Sequence, residues 1–258
     1  RSSFLLDGQR GAHKMNVLIL AAGFGTRMGS LSLTTAKPLL PVAGRPVAEH
    51  LCDKLIATGK TASLNIVTNQ YYYDQFHEWM AGYGHEIKLM NDGATSNENR
   101  LGAISDLDFA LDEIGRDEPL MVLAGDNLFD FDFLDMISFF EDKNTDVVAA
   151  RKERDLHKLR KTGVASVDGA GRLVLFQEKP ARPESDYAVP CIYIFTPPTL
   201  ALVKDYLASG ENTDAPGHFI SWLYRHTPVH AFRFDSSIYS IGDVDSYEST
   251  RNLYGKGK

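Results

Sequence analysis

Residues 16–50 read NVLILAAGFGTRMGSLSLTTAKPLLPVAGRPVAEH. They set two glycines, an arginine and a lysine behind an apolar run. Gly23 and Gly25 let the backbone turn tightly and come close to a ligand. Successive backbone N–H groups in such a loop, from Ala22 through Thr26, make a concavity for anions. Arg27 adds a planar fork that matches phosphate oxygens. Lys37, framed by Pro38 and Pro41, brings a second cation to the same anion from another side. Residues of these types at this spacing describe a polyphosphate cradle. Two other glycine patterns fit less well. A dinucleotide-binding turn wants a third glycine at position 28, where Met28 stands, and no G-K-[ST] ending marks a Walker-type loop.

The elements that must position this cradle are legible too. The apolar run at 17–22 suits a strand buried on both faces, as in a parallel sheet. Pro46 near a first turn predicts a helix from about 45, closed by Gly59. Strands are expected over 64–67, 86–90 and 120–124, with helices over 71–82, from about 101, and from about 133. The three tyrosines at 71–73 suit packing better than ligand stacking. Leu101, Ile104, Leu107, Leu111 and Ile114 share one helical face. Alternation of this kind predicts a doubly wound, mainly parallel α/β sheet. Beyond Asn144 the pattern shifts to a smaller β-rich part, with strands over 146–150, 163–167, 173–176, 189–195 and 229–234 and helices over 200–207 and 219–226.

Further chemistry sits where strands end. Asp126 follows Gly125 after the strand at 120–124, where a carboxylate can reach a metal ion bound to phosphates. Asp130 and Asp132 suit capping of the next helix. The polar loop from Asn91 to Arg100 lies between a strand and a helix, where open α/β sheets bind ligands. Ser96 could equally cap a turn there. None of the eight histidines pairs with another at metal spacing, and no Ser-His-Asp grouping is legible.

The run L-A-A-G-F-G-T-R-M followed by A-K-P-L-L-P-V-A-G-R-P resembles the sugar-1-phosphate nucleotidyltransferases, nearest the glucose-1-phosphate thymidylyltransferase and uridylyltransferase group. The resemblance covers most of 15–254. It implies that Ala22, Gly23, Gly25, Thr26 and Arg27 hold a nucleoside triphosphate and that Lys37 contacts its phosphates. Asp126, in G-D, would hold Mg²⁺. The E-K-P at 178–180 would give Glu178 to sugar hydroxyls and Lys179 to the sugar phosphate, with Gly163 and Tyr193 facing the substrate. Arg27, Lys37, Asp126 and Lys179 are thus the expected catalytic set.

Departures from that pattern matter. Asn91, Asn99 and Arg100 stand where relatives carry a base-reading Gln and a glycine pair. This also resembles, loosely, the phosphocholine cytidylyltransferase branch. Cys191 stands at a usual glycine. Ser240 stands at the usual second metal ligand, so the charge is expected from Asp243 or Asp235, or else Mg²⁺ rests on Asp126 and substrate phosphates. A non-catalytic nucleotide-binding regulator is the contrasting expectation.

The remaining bounds are compositional. The 258 residues suit one domain, with 15–144 binding nucleotide and 145–258 the sugar phosphate, after a leader at 1–14. A net charge of −7 argues against a nucleic-acid partner. Two distant cysteines, Cys52 and Cys191, argue against a disulfide framework and for a reducing, cytoplasmic setting. No apolar run approaches a membrane span. A homo-oligomer is left open.

Overall fold

A computed structural model describes residues 14–254. The expected leader, Lys14 excepted, lies outside the described residues. β1 (Met15–Leu20) leads through the glycine loop to α1 (Leu31–Thr34). A small hairpin, β2 (Pro41–Val42) and β3 (Arg45–Pro46), precedes α2 (Val47–Ala57). β4 (Thr61–Thr68), α3 (Tyr73–Tyr83), β5 (Lys88–Asn91), α4 (Ala103–Ile114) and β6 (Leu120–Ala124) then alternate. β7 (Asn127–Phe129) and α5 (Phe133–Lys143) follow. The rest comprises β8 (Asp146–Lys152), α6 (Leu156–Leu159), β9 (Gly163–Val167), β10 (Leu173–Glu178), β11 (Tyr187–Val189), β12 (Ile192–Phe195), α7 (Pro197–Ala208), α8 (Pro216–Leu223), β13 (Val229–Arg233), β14 (Ile238–Ser240) and α9 (Val244–Leu253).

Ten strands form one sheet in the order β10-β9-β11-β8-β12-β6-β1-β4-β5, with β13 beside β8. The first-half strands β5, β4, β1 and β6 pair in parallel. β12 joins β6 to β8 antiparallel to both, and β9, β10 and β11 continue antiparallel. The layering follows from the two-residue period of a strand. Val17 and Ile19 enter a core shared with Leu51 of α2, Phe76 of α3 and Met136 of α5. Leu18 points the other way, into a core with Ile104 and Leu107 of α4 and Val203 of α7. Helices thus cover both faces, as a continuous apolar strand requires.

The chain moves from β1 to β4 and β5 on one side and returns to β6 on the other. That reversal opens a crevice at the carboxyl ends of β1 and β6. Gly125 N donates to Leu20 O at 2.9 Å, closing the crevice floor. A Cβ on Gly125 would lie 2.9 Å from Pro38 Cγ and 3.0 Å from Ile19 Cγ2. Only glycine lets β6 end this close to β1 and to the lysine segment.

Three differences from the sequence expectation have physical causes. Arg45 and Pro46 do not open the helix; they pair with Val42 and Pro41, and α2 starts at Val47. The strand expected over 189–195 is two strands, β11 and β12, because Pro190 cannot donate to a ladder. β7 and β14 pair antiparallel, with Ser240 opposite Asn127. They are too short and too far apart in sequence to be read locally.

Gly125→Ala should lose about 1–3 kcal/mol of stability through overpacking. Urea denaturation measures it, and an unchanged midpoint would show that β6 can move away.

Candidate functional site

The glycine loop is held from behind by buried polar groups. Tyr72, 1% exposed, donates its hydroxyl to Phe24 O at 3.1 Å and Ser32 O at 2.5 Å. Asn69 donates to Ala22 O at 2.8 Å, and its Oδ1 accepts from Tyr72 N at 2.9 Å. The packing role expected for the tyrosines holds at Tyr72. Gly25 takes a left-handed φ of 62°, and a Cβ there would crowd Ser32 and Lys37. The loop is therefore shaped before any ligand arrives.

A cavity of about 310 Å³ opens where this loop meets the crevice. Ala22, Gly23, Gly25, Arg27, Lys37, Arg100 and Asp126 all line it. Lys37, its side chain only 11% exposed, donates to Gly242 O at 3.1 Å and lies 3.6 Å from Asp126 Oδ2. Burying an ammonium is costly unless it is paired, and these two partners pair it. Arg27 is exposed and has no hydrogen-bond or ion-pair partner among the described residues. It is a cation free to meet an anion.

Other expected residues have different positions. Thr26 is exposed in a short 3₁₀ turn and is not part of the cavity wall. Asn91 and Asn99 shape their own loop. Asn91 bonds Gln70 Oε1 and Gly93 N, while Asn99 Oδ1 accepts from the backbone of Thr95 and Ser96 in a capping box. Arg100 reaches the wall but is forked onto Asp214 at 2.9 and 3.0 Å.

In the second half, Glu178, 8% exposed at its side chain, pairs with Lys179 Nζ at 3.4 Å. It packs on the first turn of α8, where a Cβ on Gly217 would overlap its carboxylate. Lys179 holds φ at 45°, a strained value for a non-glycine residue. Packing requires glycine at 163, since a Cβ would sit 2.6 Å from Phe176 Cζ. Tyr193 is 2% exposed in the α4 and α7 core, so it does not face a substrate as expected; central β12 is covered on both faces.

Asp243 was expected as a metal ligand and is instead a helix cap. Its Oδ1 accepts from Ser246 N at 2.9 Å and its Oδ2 from Lys161 Nζ at 3.2 Å. These bonds, led by those from Ser246, hold its carboxyl well below the usual range. Each oxygen thus already accepts one bond within the protein. Asp132 caps α5, as expected, whereas Asp130 accepts from the Tyr239 hydroxyl at 3.0 Å.

No cluster of three metal-ligating side chains occurs among the described residues. Asp126, its side chain 30% exposed on the cavity wall, is a single carboxylate. That suits Mg²⁺, which usually takes one or two carboxylates plus substrate phosphates, and not an all-protein cage.

Sequence reasoning missed Asp106, which also lines the cavity. It is 7% exposed, faces Asp92 and has no cation partner among the described residues. Burial and the neighbouring carboxyl push it up to about 8. Its sequence signal was an acid flanking the apolar stripe of α4.

The chain matches the Nucleotidyl transferase family over residues 16–256 and belongs to that family. It is 28% identical over 242 residues to a UTP--glucose-1-phosphate uridylyltransferase of Synechocystis sp.. That alignment covers 90% of this chain but only 61% of the relative. A Bacillus anthracis protein provisionally assigned as a glucose-1-phosphate thymidylyltransferase shares the fold, with a TM-score of 0.80 at 22% identity over 93% of this chain and 94% of that one. A UDP-glucose pyrophosphorylase bound to UDP-glucose superposes with a TM-score of 0.77 at 20% identity, over 95% of this chain and 100% of that one. No helix among the described residues is long and apolar enough to cross a membrane.

The Asp106 value lies above the ordinary carboxylate value of about 3.9, so folding takes up a proton. Its stabilising contribution is full below about pH 4 and is lost as pH rises through about 8. Asp106→Asn removes this dependence. Its melting temperature relative to the parent should rise between pH 6 and pH 9; a constant difference would contradict the assignment.

Proposed function

We propose that the chain condenses a nucleoside triphosphate with a sugar 1-phosphate to give a nucleotide sugar and pyrophosphate, with UTP or dTTP and glucose 1-phosphate as the substrates. The observation that carries this is Lys37, poised between Asp126 and Gly242 at the carboxyl ends of β1 and β6. The named activity of the Synechocystis relative supports the substrate pair.

An oxygen of the sugar phosphate attacks the α-phosphorus in line, and the bond to the pyrophosphate oxygen breaks. The nucleophile is already an anion, so no general base is needed. The protein's task is alignment and charge neutralisation. The loop N–H groups and Arg27 hold the triphosphate, and Lys37, already held at the crevice by Gly242 and Asp126, meets it there. Lys179, fixed by its strained backbone beside Glu178, receives the incoming phosphate. Mg²⁺, held by Asp126, supplies positive charge to the phosphate oxygens when bound. Ser240 lies opposite Asn127, next to Asp126, on the β7–β14 ribbon. With a hydroxyl at 240 in place of a carboxylate, Asp126 would be the protein ligand and the substrate phosphates would supply the rest.

Pyrophosphate release with Mg²⁺ across five nucleoside triphosphates and a panel of sugar 1-phosphates, with phosphocholine and aminoethylphosphonate, tests the reading. Turnover of UTP or dTTP with glucose 1-phosphate is expected. Binding of a triphosphate without turnover of any pair would point instead to a regulator.

Asp126→Ala should lower turnover at least about a hundredfold while leaving the melting temperature within a few degrees. Full activity would remove the metal assignment. Ser240→Asp should lower the Mg²⁺ concentration for half-maximal rate, and an unchanged requirement would place that position away from the metal.

A further inference from the structure

The cavity wall carries charge of both signs. Arg27 and Lys37 are on it by the glycine loop, with Asp126 against Lys37. Asp106, in the first turns of α4, also lines it and meets Asp92, just beyond β5. Asp92 Oδ1 accepts from Ala94 N at 2.7 Å, a turn-forming bond. Asp92 Oδ2 and Asp106 Oδ1 are closed off from solvent with no donor. Two carboxylates cannot donate to each other, so both oxygens are orphans unless a proton lies between them. Burial raises both groups; the Asp92 charge raises Asp106 further, while the bond from Asp106 lowers Asp92, so the shared proton sits on Asp106 and points at Asp92. The pair then carries one negative charge, as like carboxylates in one buried site do.

This leaves Asp106 Oδ2. It is not closed off, it has no hydrogen-bond partner among the described residues, and it belongs to a side chain that is 7% exposed on the cavity wall. The helix does not need it, since the α4 N-cap is Gly102 and no side chain caps that end. Buried acceptors without donors are rare and call for an explanation. Oδ2 is then the carbonyl oxygen of a carboxyl whose proton faces Asp92, and the single negative charge of the pair repels the phosphates, so the uncharged end of the nucleotide is what lies against it. Gly102 and Ala103 line the wall beside it and carry almost no side chain. A side chain on Gly102 would run into Thr213 and not into the cavity, so Ala103 is what keeps the wall low there.

We propose that Asp106, locked by Asp92, reads the nucleobase as a fixed hydrogen-bond acceptor that selects bases bearing a protonated ring nitrogen on the pairing edge. Uracil, thymine and guanine present an N–H there. Cytosine and adenine present a lone pair at the same place and are repelled. Asp92 is a positioning residue, because it holds Asp106 through Oδ1 and touches no nucleotide.

The proposal rests on the cavity being a triphosphate site. Isothermal titration of UTP, dTTP, GTP, CTP and ATP with Mg²⁺ separates the two claims. The parent protein should bind the first three about 10- to 100-fold tighter than CTP and ATP, the range set by leaving a buried acceptor unpaired. Asp106→Asn should collapse that ratio to a few-fold, because an amide can turn its NH₂ toward a lone pair. Asp92→Asn should retain it, since its amide donates to Asp106 without a proton. A parent with no preference, or one favouring CTP or ATP, overturns the proposal even if Asp106→Asn fails to fold. Equal weakening of all five in Asp106→Asn also overturns it, indicating a ribose contact or a general loss of shape. If no triphosphate binds at all, the nucleotidyltransferase reading fails first and the proposal goes with it.

Discussion

One nearly buried ammonium holds the site together. Lys37 joins three segments that are distant in sequence: the loop after β1, the end of β6 at Asp126, and the turn into α9 at Gly242. A lone cation at 11% exposure would be costly to bury. The Gly242 carbonyl and the Asp126 carboxylate offset that cost. The same two contacts hold the cation at the crevice before a ligand arrives. Preorganised charge of this kind acts without reorganisation at the moment of reaction. Gly125 and the Pro38 ring, packed at the β1–β6 junction, fix where it can stand.

The rest of the cavity follows from charge separation. Arg27 and Lys37 stand by the glycine loop with Asp126, and Asp106 and Asp214 stand by α4, where Arg100 already neutralises Asp214. Asp106 is left as the unpartnered acceptor. A nucleoside triphosphate has this polarity, anionic at one end and a neutral ring at the other. The acceptor half adjoins through α8, whose Pro216 lines the cavity and whose Gly217 packs on Glu178.

Much of this was legible because it is local. The apolar run of β1, the glycine loop, Arg27, Lys37 and Asp126 lie in short motifs whose backbone demands are strict. What was not legible depends on pairing across the chain. No local pattern places Ser240 opposite Asn127, because three-residue strands leave no usable period. Asp243 looked like spare charge for a metal, yet Asp-x-x-Ser is also a capping pattern, and the cap and Lys161 account for its bonds. Asn91 and Asn99 looked like base readers and serve as turn formers, the commoner use of a short amide. Gly163 and Tyr193 illustrate the reverse limit. A family motif marks a position, while packing against Phe176 and within the α4–α7 core decides what the side chain does there.

The central claim is that Lys37 and the glycine loop form a triphosphate site. Titration of UTP into the parent and into Lys37→Met, at low and at moderate salt, tests it directly. Affinity should fall about 10- to 100-fold in Lys37→Met, the loss expected for a charged hydrogen bond to phosphate. Its salt dependence should become shallower because one cation is gone. Equal affinity and equal salt dependence in the two proteins, with the variant folded, would contradict the account.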